Sequence, residues 1–285
     1  MKNKSKTTYI VAAVSALLII AIFVFAFLPS KGNLKLVFPS IGKADCAVLY
    51  GDGVCAVIDC GNKGNGKDIA DLARSMGAEK IDVLFITHFD KDHIGGAAKL
   101  LTSIEVSKII EPVYDDSEVT ISEYAAYRLA LESACAAGSE LVKQKEDTSF
   151  TLGSVEFSVW CAGADYEKNR DNNSSLVIKV KAYGKTMLFA GDIEKQRIDD
   201  MLGASYDLKC DLLKMPHHGE YNKSTGKFVR SCAPVYAVIT SSDAEPESEE
   251  TLSALKSAGV ITYLTREGGL TFACGEKGIT PENNG

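Results

Sequence analysis

The chain has 285 residues, of which 46% are hydrophobic and 24% charged, with 24 Gly and 7 Pro. These values are ordinary for globular proteins and exclude disordered, collagen-like and low-complexity classes. The length accommodates one large domain or two small ones, and either can bury a full apolar core.

The first predicted element is an uncharged run of 20 residues from Tyr9 to Leu28. Twenty helical residues span about 30 Å, the thickness of the hydrocarbon core of a bilayer. The preceding basic stub, residues 1–8, contains three lysines and no acid, which keeps the N-terminus cytoplasmic by the positive-inside rule. We therefore expect residues 9–28 to be a transmembrane anchor or uncleaved signal. The protein would be single-pass in a bacterial cell membrane with an extracellular domain; the alternative is a cleaved signal and a secreted protein.

The part of the chain that follows is acidic. Four of the 31 basic residues and none of the 38 acids precede residue 32, so the exported part has a net charge near −11. Such a surface repels polyanions at long range and argues against non-specific coating of nucleic acid, whereas a local site can still bind phosphate.

The eight cysteines include no CxxC pair. We interpret them as small buried hydrophobic residues and leave disulfides open.

Short apolar runs then alternate with helical patterns. The predicted strands are residues 34–38, 46–50, 54–59, 81–86, 154–160, 175–183, 185–191, 211–215 and 235–240. The predicted helices are 68–76 and, approximately, 122–137, 193–202, 224–231 and 249–258. Tight turns are expected at Gly51-Asp52-Gly53 and at Gly184. Two groups of strands interleaved with helices predict an α/β fold in which two sheets pack together with helices outside.

All four histidines fall in two short segments. The first segment, THFDKDHIGG, follows the predicted strand 81–86 and contains His88, Asp90, Asp92 and His93. Imidazole and carboxylate donors suit zinc, manganese or iron. A solvated surface loop would more often contain lysine, glutamate or serine, so we interpret the segment as a metal-binding loop. The glycine pair at its end permits close approach of the backbone.

Two further strand ends carry acids and histidines. Asp192 and Glu194 follow strand 185–191, and His217 and His218 follow strand 211–215. Functional sites gather at strand ends in α/β proteins, although Asp192 also stands where a helix N-cap is expected. Three such strand ends predict one convergent site.

The segments THFDKDHIGG, AGDIE and KMPHHGE resemble the metal motifs of the metallo-β-lactamase superfamily. The segments FPSIGKADCAVLY, VIDCG and NNSSLVIKV are similar to the hydrolase domain of ComEC-type competence proteins and its free-standing relatives. The resemblance covers nearly all of residues 34–275. It implies a four-layer αββα sandwich, with a hydrolase domain over residues 33–277 and a tail over residues 278–285.

The resemblance also implies the metal ligands. His88 and Asp90 would bind one divalent ion, Asp92, His93 and one of the His217/His218 pair would bind a second, and Asp192 would bridge the two. Asn172 or Asn173 stands about where relatives supply another histidine, which leaves the first site poorer in nitrogen donors. One or two ions are expected, with zinc as the first candidate and manganese as the alternative.

The expected catalytic residues are Asp92, His217 and Glu194. We assign His218 to the metal and His217 to the substrate, because neighbouring side chains on an extended backbone point to opposite sides; the reverse assignment stays open. His217 could protonate a leaving oxygen, and Glu194 could orient it. Asp59 resembles a cleft-lining residue, with a solvated turn as an equal alternative.

These features indicate a metal-dependent hydrolase that uses metal-activated water. The ComEC resemblance favours a phosphodiesterase or nuclease outside the cytoplasm, with nucleic acid as a candidate substrate and the lipid bilayer as the partner of the N-terminal helix. The alternatives are a hydrolase of a small or cell-surface phosphodiester or another ester, or a non-catalytic membrane-anchored binding module. Hydrolysis of β-lactams or thioesters is disfavoured, because those branches usually keep a histidine where this chain has Asp90. No protein partner can be inferred from the sequence.

Overall fold

The computed structural model describes residues 33–117, 119–166, 168–204 and 206–282. The predicted basic stub and membrane anchor, residues 1–8 and 9–28, lie outside these ranges, so both stay predictions. Within the described ranges no helix is long and apolar enough to cross a membrane.

The described residues form fifteen strands, which the sequence-based prediction captured in part. They are β1 (Leu34–Phe38), β2 (Ala47–Gly51), β3 (Val54–Ile58), β4 (Ile81–Phe85), β5 (Val106–Pro112), β6 (Glu140–Gln144), β7 (Thr148–Leu152), β8 (Val155–Trp160), β9 (Val177–Ala182), β10 (Lys185–Phe189), β11 (Leu212–Lys214), β12 (Tyr236–Ile239), β13 (Ile261–Leu264), β14 (Leu270–Gly275) and β15 (Gly278–Glu282). Sheet A has the order β15-β14-β1-β2-β3-β4-β5-β6, and sheet B has the order β13-β12-β11-β10-β9-β8-β7.

The helices of the described ranges flank these sheets. They are α1 (Asn65–Ser75), α2 (Lys91–Ile94), α3 (Ala97–Leu101), α4 (Ser122–Ala136), α5 (Arg170–Asn173), α6 (Lys195–Gly203), α7 (Thr225–Cys232) and α8 (Glu249–Ser257), with 3₁₀ turns at Pro216–Gly219 and Thr265–Glu267. The eight cysteines are unpaired, and all except Cys135 are buried.

Apolar side chains fill three spaces between the layers. The two sheets pack face to face through aromatic pairs such as Phe38 with Phe189 and Phe85 with Phe157, whose ring centroids lie 6.1 and 5.5 Å apart. The outer face of sheet A is covered by α1, α3 and α4. The outer face of sheet B is covered by α6, α7 and α8. The four-layer αββα arrangement implied by the resemblance is therefore present.

The sequence-based prediction omitted six strands and three short helices. The strands β6 and β7 lie at sheet edges and are half exposed, so their sequences lack the continuous apolar pattern of a buried strand. The predicted tail is also wrong in its first part. Residues 278–282 form β15, which pairs antiparallel with β14 because Gly275 and Gly278 bring the chain back on itself.

Parallel pairing explains why chemically active residues collect at one edge of the sandwich. In sheet A, β3 and β4 run parallel, and Ile58 lies opposite Phe85 near their carboxyl ends. In sheet B, β10, β11 and β12 run parallel, and Phe189 lies opposite Lys214. The segments that leave these five strands consequently start at neighbouring points.

Candidate metal centre

The loop after β4 is held in place by backbone contacts that only glycine permits. The amides of Asp45 and Cys60 donate to the carbonyls of Asp92 and His93 over 3.0 and 2.7 Å. A Cβ atom at Gly96 would lie 2.2 Å from the carbonyl oxygen of Cys60, so any other residue would push this loop away from β3. The close approach expected from the glycine pair is therefore observed.

Three buried imidazoles each use Nδ1 for a hydrogen bond within the protein. His93 donates Nδ1–H to Asp59 over 2.8 Å, and His218 donates Nδ1–H to the carbonyl of Thr240 over 2.8 Å. The Thr87 hydroxyl donates to Asp59 and can therefore accept from Nδ1 of His88 over 3.1 Å. In all three rings Nε2 is buried without a hydrogen-bond partner. This is the arrangement of histidines that present Nε2 to a metal ion.

Asp192 lies at the centre of the three imidazoles. Its Oδ2 atom is 3.2 Å from Nε2 of His93 and 3.4 Å from Nε2 of His218, and its Oδ1 atom is buried without a hydrogen-bond partner. Its backbone amide donates to the Ser175 hydroxyl over 3.1 Å, whereas helix α6 begins only at Lys195, with Glu194 as its N-cap residue. The N-cap interpretation of Asp192 is therefore wrong.

Three groups of donor atoms lie close enough to hold an ion, and all three share His93. In one of them, Asp45, Asp59 and His93, the Nδ1 atom of His93 is already hydrogen-bonded to Asp59, so two candidate groups remain. The first group is His88, His93 and Asp192, and the second is Asp92, His93 and His218; within each group the donor atoms lie within 4.8 Å of one another. Asp92 approaches His218 most closely, with Oδ2 3.1 Å from Nε2. Asp90 lies at the solvent side of the first group, its Oδ2 atom 3.7 Å from Nε2 of His88.

The electrostatics of the cluster are dominated by carboxylates around the rings. Burial lowers the pKa of His93, but Asp192 and Asp59 outweigh it and hold this pKa well above its ordinary value. Burial likewise lowers the pKa of His218, and Asp192 and Asp45 raise it to about 9. Burial raises the pKa of Asp192, yet the two imidazoles hold it well below its usual range. The cluster therefore carries an excess of negative charge that protons or a divalent cation can compensate.

The chemistry of this donor set fits a divalent ion of the zinc or manganese type. Each unpartnered buried polar atom costs about 1–3 kcal/mol, and four such atoms lie on His88, His93, His218 and Asp192. A cation bound among these imidazole and carboxylate donors would coordinate them and so remove the cost of leaving them unpartnered.

His217 and His218 adopt a backbone conformation that the sequence-based prediction did not anticipate. Both residues are left-handed, with φ of 47° and 50°, within the 3₁₀ turn Pro216–Gly219. The extended backbone assumed above was therefore wrong, but the turn still separates the two rings. His218 is buried among the carboxylates, whereas the His217 side chain is 22% exposed. Two consecutive left-handed non-glycine residues are a strained arrangement of the kind found at functional sites.

His217 faces both Asp192 and Glu194. Its Nε2 atom lies 4.0 Å from Oδ2 of Asp192, and its Nδ1 atom lies 3.5 Å from Oε1 of Glu194. Glu194 is in turn held by side-chain amides, because Asn172 donates to Oε1 over 2.9 Å and Asn169 donates to Oε2. Asn173 instead accepts from the amide of Glu194. The asparagine segment thus positions Glu194.

A buried ion pair behind the imidazoles was missed by the sequence analysis. Lys214 donates to Asp45, and both residues are at most 5% exposed. Asp45 also accepts from the Thr240 hydroxyl and lies 3.4 Å from Nδ1 of His218. The only sequence signal for this pair was a lysine in the otherwise apolar strand β11.

The structure places Asp59, whose assignment the sequence left open. Asp59 is 1% exposed, accepts from the Thr87 amide over 2.8 Å, and contacts His93. It is thus part of the centre and not a solvated turn.

Comparison with known proteins identifies related sequences. The family model described as the metallo-beta-lactamase superfamily matches residues 41–239. ComE operon protein 3 of Bacillus subtilis (strain 168) is 28% identical over 174 residues, which are 61% of this chain and 22% of that protein. Competence protein ComA of Neisseria gonorrhoeae is 24% identical over 216 residues, which are 74% of this chain and 28% of that protein. The chain spans less than a third of the length of these two relatives.

Similar solved structures have the same fold. The metallo-beta-lactamase fold protein YhfI from Bacillus subtilis matches with a TM-score of 0.54 and 12% identity, over 85% of this chain and 100% of YhfI. At this level of identity the likeness concerns the fold alone.

Proposed function

The chain belongs to the metallo-beta-lactamase superfamily, and we propose that it is a metal-dependent phosphodiesterase or nuclease that acts outside the cytoplasm. One observation carries the catalytic part of this proposal: the Nε2 atoms of His88, His93 and His218 are buried and unpartnered around Asp192. The resemblance to ComEC-type hydrolase domains supports a phosphodiester, nucleic acid in particular, as the substrate.

The residues that would hold the metal come from the two groups described above, with the shared His93 assigned to one ion and Asp90 added to the other. Asp92, His93, Asp192 and His218 offer carboxylate and imidazole donors for one ion, and His88 with Asp90 and Asp192 offers fewer nitrogen donors for a second. A divalent ion bound there would lower the pKa of water and polarise a phosphoryl oxygen. The hydrogen bonds to Asp59 and Thr240 fix the orientation of two of the rings before any ion binds.

His217 is the residue best placed to act on the substrate. Its ring is partly exposed beside the buried cluster, and Glu194 lies at its Nδ1 atom. When both ring nitrogens carry a proton, Nδ1–H points at this carboxylate and Nε2 can donate its proton to a leaving oxygen. The amides of Asn169 and Asn172 prevent Glu194 from turning away. The swap with His218 is disfavoured, because His218 is buried, its Nδ1 atom is hydrogen-bonded to Thr240 and its Nε2 atom faces the carboxylates of the cluster.

Elemental analysis coupled to a substrate panel tests the proposal. The full-length protein is purified, its bound metal is measured, and it is reloaded separately with Zn²⁺ and Mn²⁺. We expect hydrolysis of bis-p-nitrophenyl phosphate and of labelled oligonucleotides, and no turnover of nitrocefin or of a thioester. Faster turnover of nitrocefin or the thioester than of every phosphodiester would contradict it. A protein that retains neither metal would favour a non-catalytic binding module.

The proposed location rests on residues 1–28, outside the described residues. A basic stub before 20 uncharged residues supports an anchor with the hydrolase domain outside the membrane. Protease added to intact cells should degrade the hydrolase domain while a cytoplasmic marker survives. Protection of the domain until the cells are lysed would contradict this location.

A further inference from the structure

A groove of about 480 Å³ lies between α7 and α8 on the outer surface of the sheet B side. Its lining includes small residues such as Gly226, Ala254 and Ala258, which keep the two helices from filling it. The side chain of Tyr221 lines one end and is 49% exposed.

Three exposed cations line this groove: Lys223, Lys227 and Arg230. Lys227 and Arg230 are three residues apart and share a face of α7, and Lys223 lies just before the helix. None of the three forms an ion pair within 4 Å among the residues described. Glu250 is the one carboxylate in the lining, so the groove has a local charge of about +2 on a protein whose net charge is −7.

The aromatic end of the groove is linked through the backbone to the segment that carries His217 and His218. Tyr221 follows His218 by three residues. The amide of Tyr221 donates to the hydroxyl of Ser248 over 3.1 Å, and the amide of Ser248 donates to the carbonyl of Gly219 over 3.2 Å. Ser248 precedes α8. The start of α8 therefore fixes both the histidine turn and the aromatic end of the groove.

We propose that this groove, defined by Tyr221, Lys223, Lys227 and Arg230, binds single-stranded nucleic acid that extends from the metal centre. Cations that follow a backbone and an aromatic ring that stacks on a base are the combination used to bind single strands. Helix α7 has 8 residues and is about 12 Å long, so the three cations can contact successive phosphates. This inference rests on the proposed phosphodiesterase activity and specifies its substrate class.

Steady-state kinetics of the metal-loaded, full-length protein test the inference with two substrates. The small substrate is bis-p-nitrophenyl phosphate, which has one phosphodiester and no nucleotide chain to extend into the groove, and the long substrate is a labelled 20-nucleotide single strand. The variant K223E/K227E/R230E should raise the KM for the oligonucleotide at least tenfold and leave kcat/KM for the small substrate within twofold. The three altered side chains no longer neutralise phosphates. The slope of the logarithm of the oligonucleotide binding constant against the logarithm of the salt concentration should therefore become less negative by about 2.

The matched control is K99E/K145E/K277E, which makes the same charge change at exposed lysines outside the groove. It should leave both substrates unaffected within about twofold. Tyr221→Ala should raise the KM for the oligonucleotide by about fivefold or more through the loss of stacking. The milder variant K223Q/K227Q/R230Q should show a smaller increase in the same direction, which guards against a folding defect in the charge reversal.

The outcomes separate the inference from the proposed function. Hydrolysis of both substrates with equal effects of the groove and control variants would refute the groove and leave the phosphodiesterase intact. Hydrolysis of the small substrate with no turnover of the oligonucleotide would also refute the groove and leave the phosphodiesterase activity intact. Absence of hydrolysis of either substrate with every metal tried would refute the proposed function and the groove together.

Discussion

Nδ1 of His93 lies 2.8 Å from Oδ2 of Asp59, and both side chains are at most 1% exposed. Asp59 directly follows β3 and is left-handed, with φ of 59°, and this strained conformation turns its carboxylate toward the end of β4, where it accepts from the Thr87 amide. The hydrogen bond leaves Nε2 as the nitrogen of His93 that faces Asp192. A residue outside the histidine motif thus decides which atom of the motif can bind metal.

Asp59→Asn should weaken metal binding by about 10–100-fold, because the side-chain amide of asparagine orients the His93 ring less well and lacks the negative charge of the carboxylate. The measurement is a titration of the metal-free protein against a competing chelator. Asp52→Asn is the matched control, since Asp52 is also left-handed, with φ of 51°, but lies exposed in the β2–β3 turn. Equal affinities for both variants would show that Asp59 does not support the centre.

His218→Ala and His217→Ala should separate metal binding from catalysis. We expect His218→Ala to lose bound metal, because its Nε2 atom lies within 3.4 Å of two carboxylates. His217→Ala should retain the metal and lose about 10²–10⁴-fold in kcat, the usual contribution of a general acid. Metal content by elemental analysis and turnover of a phosphodiester give the two readouts. If His217→Ala instead loses the metal and His218→Ala retains it, His217 is the metal ligand and His218 acts on the substrate.

His93→Ala should abolish turnover and leave the fold largely intact. His93 belongs to both candidate ligand groups, so its loss removes a donor from each. The circular dichroism spectrum should stay unchanged while the stabilisation by added metal disappears. Removing the metal from the wild-type protein with EDTA should likewise lower both activity and melting temperature. Wild-type turnover by the variant would contradict the assignment.

Lys214→Met should reduce the free energy of unfolding by about 3–5 kcal/mol, because it leaves the buried carboxylate of Asp45 unpaired. The double variant D45N/K214M removes both charges and should recover more than half of this loss. Lys35→Met is the control, because the exposed pair of Lys35 with Glu282 contributes at most about 1 kcal/mol. Urea unfolding of the metal-free protein provides the values. A loss as small as that of the control would show that the pair is not desolvated.

Metal binding should release protons at neutral pH. The pKa of His218 is raised to about 9, so the ring of the metal-free protein is protonated at pH 7, whereas a metal ligand must be neutral. The apparent affinity should therefore fall as the pH drops below about 9, by about tenfold per pH unit for each displaced proton, and the raised pKa of His93 adds a second such proton. A pH indicator in weakly buffered solution measures the release. Binding without proton release would contradict this prediction.

The sequence by itself identified the donors that are concentrated in short segments. His88, Asp92 and His93 lie within six residues after an apolar strand, and the four histidines occur only in such places. The nine strands that were predicted have boundaries within about two residues of the observed ones, because they are largely apolar, whereas β5 and β14 inside sheet A were missed. The edge strands β6 and β7 lack that pattern and were missed.

The tertiary structure alone decided which isolated polar residues support the centre. Asp45 and Lys214 are single residues in separate parts of the sequence, and nothing in either segment indicates the other. They meet because sheet A packs on sheet B and because parallel pairing places the ends of β10, β11 and β12 side by side. The direction of each imidazole nitrogen depends on such long-range contacts, and local sequence does not specify them.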